Sequence, residues 1–206
     1  MNDDPVISLR DYQLAMLSPM CDRAPAQAQA LLESVGADRS DTVAAEQRRR
    51  TMQPYITVDE CAAVWGSPAS DELDEDGTLR YTRWDLSFWP DLQVEFAELT
   101  SNYRRVVSRQ FVRRPGSSAP QLNTLADLTP WSCTQGELEA GRFGPLIYVT
   151  GFGAVGDLDA FTVVDPETGR ERYYWADFDW TLLQSVEPAP HDWRPEPGCA
   201  CHDPTP

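Results

Sequence analysis

Apolar positions recur at helical spacing over residues 6–52, and residues that start or stop helices interrupt this pattern. The stretch therefore predicts three helices rather than one long helix. Ser8 is suited to cap the first, and Pro25 fits the first turn of the second. The other boundary signals are Gly36 at the end of the second helix, Ser40 with Asp41 at the start of the third, and Arg48-Arg49-Arg50 at its end.

Two helix-start signals of the same kind divide the rest of the chain. Thr57 is followed by Glu60, and Thr134 is followed by Glu137. In such a capping box the Thr hydroxyl and the Glu carboxylate each accept a hydrogen bond from a free backbone N–H at the helix start. An aromatic–glycine pair and a proline indicate each helix end: Trp65-Gly66 with Pro68, and Phe143-Gly144 with Pro145.

Strand-like stretches of apolar residues follow each of these short helices. They lie at residues 78–85, 86–88, 92–98 and 106–112 in the first unit, and at residues 146–150, 160–164, 172–178 and 182–186 in the second. The predicted fold class is therefore α+β, with an N-terminal helical segment followed by two units that each contain a short helix and an antiparallel meander. The predicted divisions are 1–54 for the helical segment, 55–114 and 115–187 for the units, and 188–206 for a flexible Pro-rich tail.

Residues 55–186 resemble the small helix-plus-sheet repeats of the BamE-like and beta-lactamase-inhibitor-protein type, in which a Thr-x-x-Glu helix ending in Gly-x-Pro precedes a strand meander. The likeness rests on Thr57, Glu60, Gly66 and Pro68, with Thr134, Glu137, Gly144 and Pro145 as a looser second copy. The resemblance implies a binding fold rather than an enzyme, and it implies no particular site residue. We expect the chain to depart from the type, because its sequence predicts no signal peptide, no lipid-attachment cysteine and no paired cysteines.

Charge narrows the class of partner. The chain has 17 arginines, no lysine and 33 acidic residues, for a formal net charge of −16. This surplus of negative charge disfavours nucleic acid as a partner and favours a basic protein. Because His191 and His202 both lie in the tail, the body lacks the side chain most often used in acid–base catalysis near neutral pH. The acidic start and the short apolar runs predict a cytoplasmic protein that does not engage a membrane.

Two acidic stretches are the candidate partner-binding sites. The first is a run of five acids in a predicted loop, Asp71, Glu72, Asp74, Glu75 and Asp76. This loop is either merely solvated or an acidic finger for a basic partner. The second is the strand at 172–180, whose outer face carries Tyr173, Trp175, Asp177 and Asp179 and whose core face carries Tyr174, Ala176, Phe178 and Trp180. Aromatic side chains beside carboxylates suit a protein interface, unless a flanking helix covers the aromatic pair.

Paired aspartates favour a different class of function, a divalent-metal enzyme. The two Asp-x-Asp pairs are Asp157 with Asp159 and Asp177 with Asp179. The competing interpretation is that the first pair flanks a turn and the second faces water at a strand end. The tail holds Cys199, Cys201 and His202, with His191 nearby, but this spacing is too narrow for a structural zinc site. We predict no metal and no cofactor.

The leading hypothesis is an acidic protein-binding module, in its most concrete form an immunity-type inhibitor of a basic toxin. The alternative is a metal-dependent enzyme that uses the paired aspartates. A third class is a structural or assembly subunit. The sequence leaves the oligomeric state open.

Overall fold

The computed structural model describes residues 6–52, 56–101, 105–151, 155–165 and 168–195. The helices of this part of the chain are α1 (Leu9–Arg23), α2 (Pro25–Ser34), α3 (Arg39–Thr51), α4 (Val58–Trp65) and α5 (Gln135–Ala140). The strands are β1 (Ser70–Leu73), β2 (Leu79–Asp85), β3 (Leu92–Leu99), β4 (Arg105–Arg113), β5 (Ile147–Thr150), β6 (Val155–Val164), β7 (Glu171–Asp179) and β8 (Leu182–Pro188). Strands β1–β4 form one antiparallel meander and β5–β8 form another. The predicted α+β class is confirmed.

Contacts divide the chain into two compact units, Met1–Ser118 and Ala119–Pro206. Unit 1 contains helices α1–α4 and the first sheet, and unit 2 contains α5 and the second sheet. The N-terminal helices therefore belong to the same unit as the first meander, because they provide part of its core. We find no helix in the described stretches with the length and apolar character needed to cross a bilayer.

The core of unit 1 contains a cluster of aromatic rings from two helices and two strands. Tyr12 of α1, Trp65 of α4, Trp84 of β2 and Phe96 of β3 have ring centroids 4.9–5.9 Å apart. The indole N–H of Trp65 donates to the carbonyl of Ile7 at 2.8 Å, so a polar atom that is taken into this core keeps a partner. The helices and the sheet thus share one apolar interior.

Caps define the helix starts in unit 1. Ser8 caps α1 by accepting the N–H of Asp11 at 3.1 Å, as predicted. Helix α3 begins at Arg39, one residue before the predicted start at Ser40, and Asp38 is its N-cap. The Asp38 carboxylate accepts the N–H groups of Ser40 and Asp41 at 2.7 and 3.2 Å.

The arginine run 48–50 ends α3, and each of its side chains meets an acid. Arg48 donates to Asp11 of α1 at 2.7 Å, and Arg49 and Arg50 pair with Glu46 one turn earlier. These contacts support the interpretation of the run as a helix C-terminus.

Unit 2 has a separate core between α5 and one face of its sheet. Its buried members are Leu128, Cys133, Leu138, Phe143, Phe161, Ala176, Phe178 and Leu183, and Tyr174 packs against them. The predicted capping box is present, because Thr134 accepts the N–H of Glu137 and Glu137 accepts the N–H of Thr134. Tyr174, Ala176 and Phe178, which were predicted to form the core face of β7, all belong to or pack against this core, whereas Trp180 does not.

Two strand predictions in unit 1 are wrong. Residues 70–73 form strand β1, although the acidic run was expected to be a loop, because arginines of β2 neutralise its carboxylates across the ladder. Residues 86–88 are not a strand, because the N–H of Phe88 donates to the side chain of Gln13 in α1 at 2.9 Å.

Two boundaries in unit 2 also differ from expectation. Helix α5 ends at Ala140, before the predicted Phe143-Gly144 pair. Gly144 instead permits a close backbone approach, since a Cβ there would lie 1.8 Å from the carbonyl oxygen of Glu139. Strand β7 ends at Asp179, and Trp180 belongs to the following turn with φ 53°.

Candidate functional site

The acidic run of unit 1 is a β-hairpin whose first carboxylates are engaged within the chain. Arg80 of β2 donates to both oxygens of Asp71, from Nε at 2.8 Å and from Nη2 at 2.6 Å. This bidentate pair lowers the pKa of Asp71. Arg83 donates to Glu72 at 3.3 Å. The strand is therefore held by ion pairs rather than left as a solvated loop.

The turn of this hairpin is built by Asp74. Its carboxylate accepts the N–H groups of Thr78 and Leu79 at 2.7 and 3.1 Å and the Thr78 hydroxyl at 2.7 Å. These hydrogen bonds, led by that of the hydroxyl, lower the pKa of Asp74. Glu75 and Asp76 are exposed at the tip of the hairpin. Within the predicted site, Asp74 is thus structural, and the tip carboxylates face solvent.

An open acid-lined cavity of about 510 Å³ lies beside the same hairpin. Its lining residues are Asp59, Asp71, Glu72, Leu73, Arg80, Glu98 and Thr100. The guanidinium of Arg80 donates to Asp59 at 2.8 Å in addition to Asp71, and its hydrogen bonds to Asp71 and Asp59 raise its pKa. Asp59, Asp71 and Glu98 therefore surround one guanidinium, and the cleft, which Glu72 also lines, carries negative charge.

Glu98 is the buried member of this cleft. It is 1% exposed, and its Oε1 accepts the N–H of Val58, the first residue of α4, at 3.1 Å. Its Oε2 lies 3.8 Å from Nη1 of Arg80. The cleft thus has a fixed acidic floor and a more exposed acidic rim.

Sequence reasoning missed Asp59, Arg80 and Glu98 as parts of this site. Asp59 stood in the first turn of a predicted helix, and Glu98 stood in the alternating pattern of a strand. The available signal was Glu98 itself, since it repeats the inward-facing parity of Val94 and Phe96. An acid at an inward position requires a partner in the fold.

The outer face of β7 in unit 2 is the second predicted site. Tyr173, Trp175 and Asp177 are half-buried on this face, whereas Asp179 is 1% exposed. Asp179 is therefore not on the surface that a partner would contact. The aromatic pair is covered not by a helix but by Trp193, from the segment that follows β8.

The register of β6 and β7 separates the two aspartate pairs. Asp159 pairs with Ala176, a core-face residue, whereas Asp177 pairs with Leu158 on the outer face. Directly paired residues project to the same face of a sheet. Across the described residues no three side chains of His, Cys, Asp or Glu form a group able to hold a metal ion. His191 is exposed, and Cys199, Cys201 and His202 lie outside the described residues.

Asp159 is a buried carboxylate of unit 2 with a raised pKa. It is 3% exposed, and Gln135, the first residue of α5, donates to its Oδ2 at 2.5 Å. Burial raises the pKa of Asp159 to about 6, and the negative charges of Asp157 and Glu139 act in the same direction. The hydrogen bond from Gln135 opposes this shift without cancelling it.

No family model, curated protein or solved structure matches this chain. The resemblance of residues 55–186 to BamE-like and inhibitor-type repeats therefore stays a prediction. The function has to be argued from the two surfaces themselves.

Proposed function

We propose that this protein is a cytoplasmic acidic module that binds a basic protein partner, most concretely an immunity-type inhibitor of a basic toxin. The observation that carries the proposal is the acid-lined cleft of unit 1, in which the carboxylates of Asp59, Asp71 and Glu98 surround the guanidinium of Arg80. An open, negatively charged concavity complements an arginine or lysine side chain on a partner.

The exposed carboxylates of Glu75 and Asp76 extend the acidic surface beyond the cleft. The whole chain carries a formal net charge of −16, so long-range attraction would also speed encounter with a basic protein. An inhibitor of this kind needs no catalytic residue, because it acts by covering the active site of its target. The metal-enzyme alternative has less support, because the two aspartate pairs belong to opposite faces of the second sheet.

The first test is co-purification of the tagged chain from its own host at about 0.05 M salt, followed by elution at about 0.5 M. We expect a stoichiometric basic protein to be retained at low salt and released at high salt. Its association rate with the pure chain should fall by about 10-fold or more over that range. A rate that does not change with salt would falsify the proposal.

Matched charge variants locate the binding surface. Asp59→Asn with Glu72→Gln removes two carboxylates from the rim of the cleft, whereas Glu33→Gln with Asp91→Asn removes two exposed carboxylates elsewhere in unit 1. The net charge changes equally in both, and the cleft variant also removes the ion pairs with Arg80 and Arg83. We expect the cleft variant to weaken partner binding at least several-fold more than the control variant. Equal effects would assign the attraction to net charge alone.

A further inference from the structure

The segment after β8 folds back onto the outer face of β7. Ala189 donates its N–H to the carbonyl of Tyr173 at 3.0 Å, which extends the pairing of β8 by one residue beyond its end. The ring of Trp193 then lies edge-on to Tyr173 at 5.2 Å and to Trp175 at 6.2 Å between centroids, with interplanar angles of 75° and 83°. Three aromatic rings thus make one contact in edge-to-face geometry.

The turn that presents Trp193 is held by hydrogen bonds within the segment. The N–H of Trp193 donates to the carbonyl of Pro190 at 2.9 Å, and Arg194 donates to the carbonyl oxygens of His191 and Trp193. Among the contacts of the described residues, the aromatic contact of Trp193 joins this turn to the sheet beyond Ala189.

Acidic side chains adjoin the Tyr173–Trp175 face, the surface on which Trp193 lies. Asp177 lies two residues along the same face of β7, and Glu187 of β8 is the register partner of Trp175. Glu187 is exposed. An aromatic surface with acidic side chains at its edge is suited to bind a tryptophan that is next to a cationic residue. Trp193 followed by Arg194 is such a pair in the chain's own segment.

We propose that the Tyr173–Trp175 face is a docking site for an exposed tryptophan flanked by a basic residue on a protein partner, and that Trp193 occupies this site until the partner displaces it. This inference rests on the proposed function, because it takes the partner to be a basic protein. Because Trp193 is tethered to the chain, it competes at an effective concentration of about a millimolar. A partner binds only if its affinity and concentration are high enough to displace this internal competitor.

The test uses a dye-labelled peptide with the sequence of residues 188–195 and the full-length chain as receptor. In the Trp193→Ala chain no aromatic ring at position 193 covers the Tyr173–Trp175 face, whereas in the wild-type and Trp193→Phe chains a ring covers it. We expect fluorescence anisotropy to show peptide binding to Trp193→Ala at least about 10-fold tighter than to the other two chains. A peptide in which Trp193 is replaced by Ala should not bind.

The inference is overturned if the peptide fails to bind the Trp193→Ala chain, or binds the three chains equally. It is also overturned if the peptide without tryptophan binds as well as the one with it. Since Trp193 lies in an irregular segment at the surface, its replacement leaves the cores of both units intact, and unchanged circular dichroism checks this. The peptide stands in for the partner, so this result is independent of whether a salt-sensitive basic protein is found.

Discussion

At the residue scale, some of the acidic side chains are buried, and arginine side chains lie next to them. Glu95 and Glu98 of β3 are 4% and 1% exposed. Nε of Arg83 donates to Glu95 at 2.7 Å, and the guanidinium of Arg80 lies 3.8 Å from Glu98. A buried carboxylate that loses its cation keeps its desolvation cost. These arginines therefore stabilise the fold, and the carboxylates available to a partner are the exposed ones.

We expect Arg83→Gln to lower the free energy of unfolding by about 3 kcal/mol, because Glu95 would remain buried without its cation. Arg114→Gln is the matched control, since Arg114 and Asp85 form a pair whose side chains are each nearly half exposed. That control should cost less than about 1 kcal/mol. Urea unfolding measures both, and equal losses would show that the burial of Glu95 does not matter.

Asp159 gives a pH dependence with a definite sign. Its folded pKa of about 6 exceeds its ordinary value of 3.8, so the native chain binds a proton before the unfolded chain does. This group therefore adds stability as pH falls through 6 and costs stability at neutral pH. We expect the advantage of Asp159→Asn over wild type to shrink by about 1 kcal/mol from about pH 7 to about pH 5.

Asp127 is the control for that measurement. Hydrogen bonds from Thr124 lower its pKa from the ordinary value of 3.8, so its stabilising contribution is fully present above that pH and is lost only below it. The deficit of Asp127→Asn relative to wild type should therefore stay constant from about pH 7 to about pH 5. If the two variants follow the same pH trend, the assignment of the shift to buried Asp159 is wrong.

At the element scale, the hairpin between β7 and β8 has an unusual turn. Asp179 pairs with Leu182, so the loop is two residues long, and both Trp180 and Thr181 have positive φ (53° and 64°). A turn of this type normally uses Asn and Gly, and a β-branched residue is strained there. The turn is retained because it packs at the start of α5, where the N–H of Gln135 donates to the carbonyl of Thr181 at 2.7 Å.

We expect Thr181→Gly to raise the free energy of unfolding by about 1 kcal/mol, because glycine adopts the left-handed conformation without strain. Thr168→Gly is the control in the β6–β7 turn, where Thr168 has no positive φ, and it should lower stability. Thermal unfolding of both variants checks the difference. A loss of stability in Thr181→Gly would mean that its buried side-chain contacts outweigh the strain.

At the scale of the whole molecule, the chain has two units with separate cores. One core is the aromatic cluster around Phe96, and the other is the apolar cluster under α5. The acids are distributed unevenly, since residues 119–206 hold 14 acidic residues and four arginines. The two candidate surfaces therefore belong to different units, and each can be altered without touching the core of the other.

Separate cores predict separate effects on local stability. We expect Arg83→Gln to speed hydrogen exchange in β2 and β3 of unit 1 and to leave β6 and β7 of unit 2 unchanged. Asp159→Asn should do the reverse, altering exchange in unit 2 alone. Mass spectrometry of exchanged peptides gives the comparison. Equal changes in both units would show that the chain unfolds as one cooperative body.

The sequence by itself determined the local elements. Thr57 and Thr134 cap helices because a hydroxyl and a glutamate three residues later satisfy free N–H groups without help from the rest of the fold. Alternation likewise predicted β3 and β7, since a strand with one face in a core repeats every second residue. These signals are local, so they can be read along the chain.

Only the tertiary structure decided which charges remain available and what covers the aromatic face. The first residues of the acidic run form strand β1 because Arg80 and Arg83 of β2 pair with their carboxylates across the ladder. Which residues face each other across a ladder depends on the register of the two strands, and the local sequence pattern of the run does not reveal that register. Glu98 and Asp59 converge on Arg80 from different elements, and Trp193 reaches Trp175 from an irregular segment. Long-range pairing fixes these contacts, because the free energy that selects them depends on burial in the completed fold.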